Sequence, residues 1–476
     1  MISPRADATA HASPLSWFAI FRLGLVQTAL GAIVVLTTAT LNRVMVVELS
    51  LAASIPGALV GLHYAVQILR PRWGFGSDIG GRRTPWIIAG MAILAAGAIL
   101  AAIATALLAE APLAGALLVT GAFVIIGIGV GCAGTTLLAL LASRTAPARR
   151  APAATIVWLM MIAGFVITAI VAGANLDPFS FTRLIWVTIA VCAVAFAVTI
   201  VALFGVEGRQ PTSLGRANAD HQSSPAAPIA SGTANARFLK AVAETWADAT
   251  ARRFTIFVFL SMLAYSAQDL ILEPFAGLVF AMTPGESTQL SGVQHGGVFI
   301  GMALVGAIAG LRRRGDPFAL QRWVVAGCCG SALSLVALAF GGYVGPGWPL
   351  ATNVFLLGFA NGIFAVAAIA SMMALSSEGG SHRTGTRMGL WGAAQAIAFG
   401  LGGLMGTILV DIAGLFAGSP ATAYGTVFIL EGLVFVASAM LAVRLAAHSR
   451  TELRPATHDS QRGRRLDPIL TPSTAT

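Results

Sequence analysis

What most constrains this 476-residue chain is a succession of apolar runs, each long enough to cross a lipid bilayer as a helix and each bounded by short polar segments. Crossing the hydrocarbon takes roughly 20 helical residues. Twelve runs meet that length: 22–46, 52–73, 85–109, 113–142, 153–173 and 184–205, then 254–281, 288–311, 321–343, 349–375, 387–414 and 421–446. Charged residues make up only 10% of the chain, whereas a soluble domain carries about 25%. With no barrel-like alternation, an all-α polytopic membrane protein follows.

The net charge of +10 does not indicate nucleic acid, because the basic residues sit between apolar runs. Of 29 Lys and Arg residues, 27 fall at the termini or in loops after even-numbered runs, and only Arg43 and Arg183 lie on the opposite side. Both termini are therefore expected in the cytoplasm. Cys132, Cys192, Cys328 and Cys329 all lie within apolar runs without a CxxC pattern, as packing residues do. The first residues lack the pattern of a cleaved signal peptide.

Between residues 206 and 236 the chain turns polar and rich in Ser, Pro and Ala, the composition of a linker. The expected divisions are a six-helix half at 1–206, a cytoplasmic linker at 207–252, a second six-helix half at 253–447 and a disordered cytoplasmic tail at 448–476. Phe238, Leu239, Val242 and Trp246 share one face of a short amphipathic helix in the linker. The halves read as repeats: Gly74 and Gly306, Arg82 and Arg314, Pro85 and Pro317, and Trp158 and Trp391 are separated by 232 or 233 residues.

Against this background a few polar side chains stand inside apolar runs. The seventh run carries Gln268, Asp269 and Glu273, and the eighth carries Gln294 and His295. Such groups are costly in hydrocarbon and mark function by default. Asp269 and Glu273, four apart, share a helix face, and Pro274 is expected to break the helix and free the carbonyl near residue 270. Two adjacent carboxylates in low dielectric do not both ionise. The pair suits proton coupling or donation to a ligand carbonyl, or a buried structural role.

His63 and His295 each precede the paired glycines by eleven residues, about 16 Å along a helix, which places both near the bilayer midplane. Gln67 lies one turn beyond His63. Each imidazole is a potential metal ligand or a packing residue. Asn42, Arg43 and Glu48 form an outer polar cluster, with Arg43 and Glu48 spaced to share a partner, as a clamp or a site. Asp411 and Glu431 are either a buried pair or rim residues. Runs such as GIGVGCAG and FGLGGLMG offer small-residue faces for close helix packing. No catalytic motif is present.

Two resemblances follow. The loop GFGSDIGGRR, Gly74 to Arg83, resembles the GxxxDxxGRR loop of the major facilitator superfamily, with Gly74 and Gly81 as its glycines. That implies the superfamily fold of two pseudo-symmetric six-helix halves, with Asp78 as a gate carboxylate and Arg82 and Arg83 as its basic neighbours. Ile79 stands where the superfamily often has arginine. The runs TLNRVMVVEL, RPRWGFGSDIGGRRTPWI, ETWADATARRFTIFVFLSMLAYSAQDLILEPFAG and TQLSGVQHGG resemble the PucC/LhaA family of photosynthetic bacteria, leaning to its LhaA-like branch. That resemblance implies a non-enzymatic assembly factor that delivers bacteriochlorophyll to light-harvesting antenna polypeptides, with core antenna favoured. Pigment-synthesis enzymes and membrane lipids would be further partners, nucleic acid would not, and the site would lie in a bacterial cytoplasmic or intracytoplasmic photosynthetic membrane. A proton-coupled carrier using Asp269 and Glu273 is the rival expectation.

Overall fold

The computed structural model describes residues 15–70, 73, 82–146, 149–207, 246–247, 249–311, 317–377 and 384–452, and among these it contains helices and no strand. The helices are α1 (Trp17–Glu48), α2 (Ser54–Leu69), α3 (Thr84–Glu110), α4 (Pro112–Arg144), α5 (Arg150–Leu176) and α6 (Phe181–Leu203). They continue as α7 (Ala249–Phe280), α8 (Pro284–Leu311), α9 (Pro317–Val344), α10 (Leu350–Ser377), α11 (Thr384–Phe416) and α12 (Pro420–Glu452). Eleven are long and apolar enough to span a membrane, and α2 is a shorter apolar helix. Each expected run thus lies on its own helix. Prolines open α4, α8, α9 and α12, where the first N–H groups have no intrahelical acceptor and a missing donor costs nothing.

The packing repeats with the chain. In the first half α3 lies on α4, α1 on α5 and α6, α3 on α6, and α2 on α4; in the second the same pairs recur six helices later. Each half buries its own apolar core, joined only at the seam: Leu270 enters the first core, and Val46 and Ala53 enter the second. The main contacts between halves are α2 with α11, α5 with α8, and α1 with α7, and α1 also touches α8. This is the parallel repeat arrangement expected of the superfamily.

Lipid offers no hydrophobic drive for one helix to meet another, so close backbone approach must do so. A Cβ at Gly358 would lie 1.9 Å from the Gln294 carbonyl oxygen, and one at Gly301 2.3 Å from that of Phe359, so α8 and α10 interlock through glycine. The GIGVGCAG stretch acts likewise: a Cβ at Gly127 would meet the His63 carbonyl at 2.7 Å, and one at Gly129 the Leu94 nitrogen at 2.5 Å. Cys132, Cys192 and Cys328 are buried, Cys329 is exposed, and all four are free thiols.

Candidate functional site

The site is built where α1 meets α7. Proline at position 274 cannot donate to the carbonyl of Leu270, and its ring pushes that carbonyl aside. The expected break does not occur: α7 runs continuously from Ala249 to Phe280. The freed carbonyl is taken instead by Asn42 of the other half, whose Nδ2 donates to Leu270 O at 2.5 Å. A donor from the opposite half supplies what the proline removed, so the helix need not unwind.

Arg43, the neighbour of Asn42, is the largest fully buried side chain among the described residues, at 2% exposure. It is buried toward the end of the molecule that carries the α7–α8 connection, and Glu48, its partner, is a third exposed. The two do not share a third group; they pair directly, through Arg43 Nη1 and Glu48 Oε1. Five residues apart on an α-helix they would point away from each other. The segment Val44–Glu48 is a π-helical turn, whose i to i+5 repeat brings the fifth residue back onto the same face. Arg43 Nη2 also donates to Met282 O at 2.7 Å, across the seam. Gly277 makes room, since a Cβ there would lie 3.1 Å from Nη2. An open cavity of about 510 Å³ borders the pair, lined among others by Arg43, Glu48, Asp177, Gly277 and Thr283.

Deeper in the molecule, α7 and α8 present their polar residues to each other. Gln294 Nε2 donates to Asp269 Oδ1 at 3.3 Å. Glu273 lies beside Ser291 and near the Arg43 charge, but neither of its oxygens reaches hydrogen-bond geometry. Both polar atoms of Gln268, both carboxylate oxygens of Glu431, Asn42 Oδ1 and Arg43 Nε are likewise buried without a hydrogen-bond partner. Each such group is expensive and calls for a reason. Asp269 also lies within electrostatic reach of Tyr64, Tyr265 and Glu431. Tyr64 and Tyr265 flank the Phe399 ring at 6.1 and 5.8 Å. Among the described residues no group of three or more His, Cys, Asp or Glu could hold a metal ion.

The two histidines differ. His295 Nδ1 lies 2.8 Å from Ser291 O; a carbonyl only accepts, so Nδ1 carries the proton and a neutral ring keeps its lone pair on Nε2. The ring packs edge-on against Phe165 at 4.9 Å, and a Cβ at the adjacent Gly296 would meet nothing within 4 Å. His63 is sealed: its Nε2 lies 3.0 Å from Gln67 Nε2, Gln67 also binds Arg70, and its Nδ1 is buried without a partner. The symmetry of position does not extend to availability.

Of the superfamily loop, Gly74, Asp78 and Gly81 lie outside the described residues. Arg82 is exposed. Arg83 donates to Ala139 O at 3.2 Å and to Ser143, both on α4, while the Glu207 carboxylate accepts from the Arg83 and Thr84 N–H groups, each at 2.8 Å, at the start of α3. Most of the linker and the tail also lie outside the described residues. Asp411 does not pair with Glu431: its oxygens accept from Ala53 N at 2.9 Å and Ser54 N at 2.8 Å. Tyr64, Tyr265, Ser291 and Phe165 were not singled out by sequence. Tyrosines of membrane helices gather at the interfaces, and the mid-helix positions of Tyr64 and Tyr265 were the available signal.

Two related six-helix halves with polar groups buried between them define a membrane protein of the major facilitator type. The solved structure of the nucleoside transporter NupG shares that fold, with TM-score 0.62 at 14% identity over 90% of this chain and 98% of its own. A bacterial homologue of the human drug peptide transporters does too, with TM-score 0.63 at 14% identity over 91% and 99%. Within that class the chain belongs to the PUCC protein family, which matches residues 40–450. A Rhodobacter capsulatus protein named "Bacteriochlorophyll synthase 44.5 kDa chain" is 53% identical over 91% of this chain and 96% of its own length. "Protein PucC" of Cereibacter sphaeroides is 29% identical over 91% and 93%. A Rhodobacter capsulatus protein described as "Uncharacterized protein in puhA-bchM intergenic region" is 29% identical over 92% and 91%.

Proposed function

We propose that this protein is a membrane assembly factor that holds bacteriochlorophyll and hands it to antenna polypeptides during light-harvesting complex assembly, the core antenna being the favoured recipient. It acts without catalysing a reaction. The observation that carries the reading is family membership, supported by a relative of 53% identity whose name contains bacteriochlorophyll. The site is compatible with such a ligand. His295 is buried, and with its proton fixed on Nδ1 its Nε2 offers a lone pair suited to a chlorin magnesium. Gln268 Nε2, which has no partner, can donate to a peripheral carbonyl, and the buried carboxyls of Glu273 and Glu431 can do so in their protonated form. His63 fits less well, because Gln67 occupies its Nε2. The host membrane is the bacterial cytoplasmic or intracytoplasmic photosynthetic membrane, with both termini in the cytoplasm.

Purification of the tagged protein from phototrophic membranes in mild detergent tests this. The expected result is a red chlorin absorption band with antenna polypeptides in the same fraction. His295→Ala should lose the band and His63→Ala keep it. Absence of pigment and antenna from the native protein would overturn the reading.

The three partnerless or weakly bonded carboxylates Asp269, Glu273 and Glu431, on a transporter-like fold, favour one alternative, a proton-coupled carrier of a small molecule. It requires pH-driven flux in proteoliposomes that Glu273→Gln abolishes while exchange survives. Normal antenna assembly in a deletion strain would support the carrier over the assembly factor.

A further inference from the structure

Two carboxylates at one end of the molecule do the same thing on opposite sides of the seam. Asp177, immediately after α5, accepts from Thr283 Oγ1 at 2.6 Å and from Gly285 N at 3.3 Å, at the start of α8. Asp411, on α11, accepts from Ala53 N and Ser54 N at the start of α2. Helices α5 and α11 are equivalent in the repeat, as are α8 and α2. Asp411 follows Asp177 by 234 residues, and Gly285 follows Ser54 by 231, close to the interval between the halves. A helix start leaves N–H groups unpaired and carries partial positive charge, so a carboxylate is its natural partner. Here each carboxylate comes from the other half.

Close packing sits directly beneath each contact. One turn before Asp177, a Cβ at Gly173 would lie 2.7 Å from Gly285 O; one turn before Asp411, Thr407 Oγ1 would lie 2.0 Å from a Cβ at Gly57. The third interface between halves, α1 on α7, is tied toward the same end by Asn42 to Leu270 O and Arg43 to Met282 O. This end carries the α1–α2, α5–α6 and α7–α8 connections, and the basic-residue pattern assigns it to the outside.

We propose that Asp177 and Asp411 are matched latches that hold the outer end of the molecule closed, one on each flanking interface, and that the end opens only when both release. A single surviving latch keeps its helix pair together, so the two act as independent restraints on one opening. This bears on the conformational cycle and is independent of the pigment reading. It holds equally for a carrier.

The test places a reporter under the closed end. Thr288 on α8 is 2% exposed, with its Oγ1 3.2 Å from Thr40 Oγ1 across the seam. Thr288→Cys, labelled by a membrane-impermeant maleimide in spheroplasts, should react no faster than the native-cysteine background. Asp177→Asn or Asp411→Asn, each keeping the side-chain size, should raise the rate roughly tenfold, and the double variant roughly a hundredfold, as independent sites add. Size-exclusion elution and a thermal melt in detergent verify that each variant is folded. Unchanged labelling in a folded double variant would overturn the proposal. If the double variant does not accumulate, the single variants decide: both accelerating supports matched latches, and one accelerating alone overturns them. Acceleration from inside-out vesicles only would keep the latch and reverse the orientation.

Discussion

The bond from Asn42 to Leu270 O can be isolated by a thermodynamic cycle, because the proline that creates the need for it can be removed. Asn42→Ala leaves the Leu270 carbonyl buried and unpaired in α7 of the native chain. Pro274→Ala restores an N–H four residues along, so in that background the carbonyl bonds within its own helix and Asn42 becomes dispensable. Any space vacated by the Asn42 side chain is the same in both backgrounds and cancels. Interhelical hydrogen bonds in membranes couple by about 0.6 kcal/mol on average and up to about 1.7. This one serves an acceptor with no intrahelical donor, so we expect a coupling near the upper end, about 1.5 kcal/mol. The assay is reversible unfolding of the four variants in mixed micelles, followed by circular dichroism. Asn42→Ala should destabilise the native background and do markedly less in the Pro274→Ala background. Equal losses in both, a coupling within experimental error of zero, would refute the reasoning.

Other outcomes are equally specific. Glu48→Gln leaves the buried Arg43 with its bond to Met282 O but without its ion-pair partner. Because Glu48 is a third exposed, the loss should be about 2 kcal/mol, between the values for surface and fully buried pairs, read as a lowered denaturation midpoint. Gly358→Ala forces a methyl onto the Gln294 carbonyl and should cost at least about 2 kcal/mol, visible as loss of monodisperse protein, while Gly121→Ala, with nothing within 4 Å, should be tolerated. Glu431→Leu removes two buried partnerless oxygens and should raise the thermal midpoint, by about 1 kcal/mol in stability, while lowering the chlorin absorbance of the purified protein.

The helices were legible because a span is a local quantity: about 20 consecutive apolar residues suffice, whatever they pack against. The glycine faces were legible for the same reason, as small residues recurring along one helix. The repeat was visible through positions such as Pro85 and Pro317, which open α3 and α9 in equivalent places. What could not be read was any contact that joins residues more than two hundred apart. From sequence Asp411 and Glu431 could be a buried pair or rim residues, and what Asp411 meets is the N–H groups of Ala53 and Ser54 in the other half. Arg43 and Glu48 do fall in one polar cluster, but their direct pairing depends on a π turn that regular α-helical spacing does not anticipate.

The site follows the same division. Asp269, Gln294 and Glu273 were recognisable as misplaced polarity, and the structure sets the first two in contact and the third beside Ser291. The matched depth of His63 and His295 suggested equal roles, yet depth is set by sequence position alone and availability by neighbours. Gln67, one turn after His63, closes that ring, whereas Phe299, one turn after His295, carries no hydrogen-bonding group, and the carbonyl of Ser291, one turn before it, fixes the proton on Nδ1 and leaves the lone pair on Nε2. The asymmetry has a physical consequence. A duplicated scaffold with identical sites would bind on both sides of its axis, whereas here one half supplies an imidazole whose Nε2 is taken by Gln67 and the other a buried imidazole that keeps its Nε2 lone pair. Ligand binding through histidine should therefore be confined to the α8 side, next to the carboxylates of α7 and away from the α2 side.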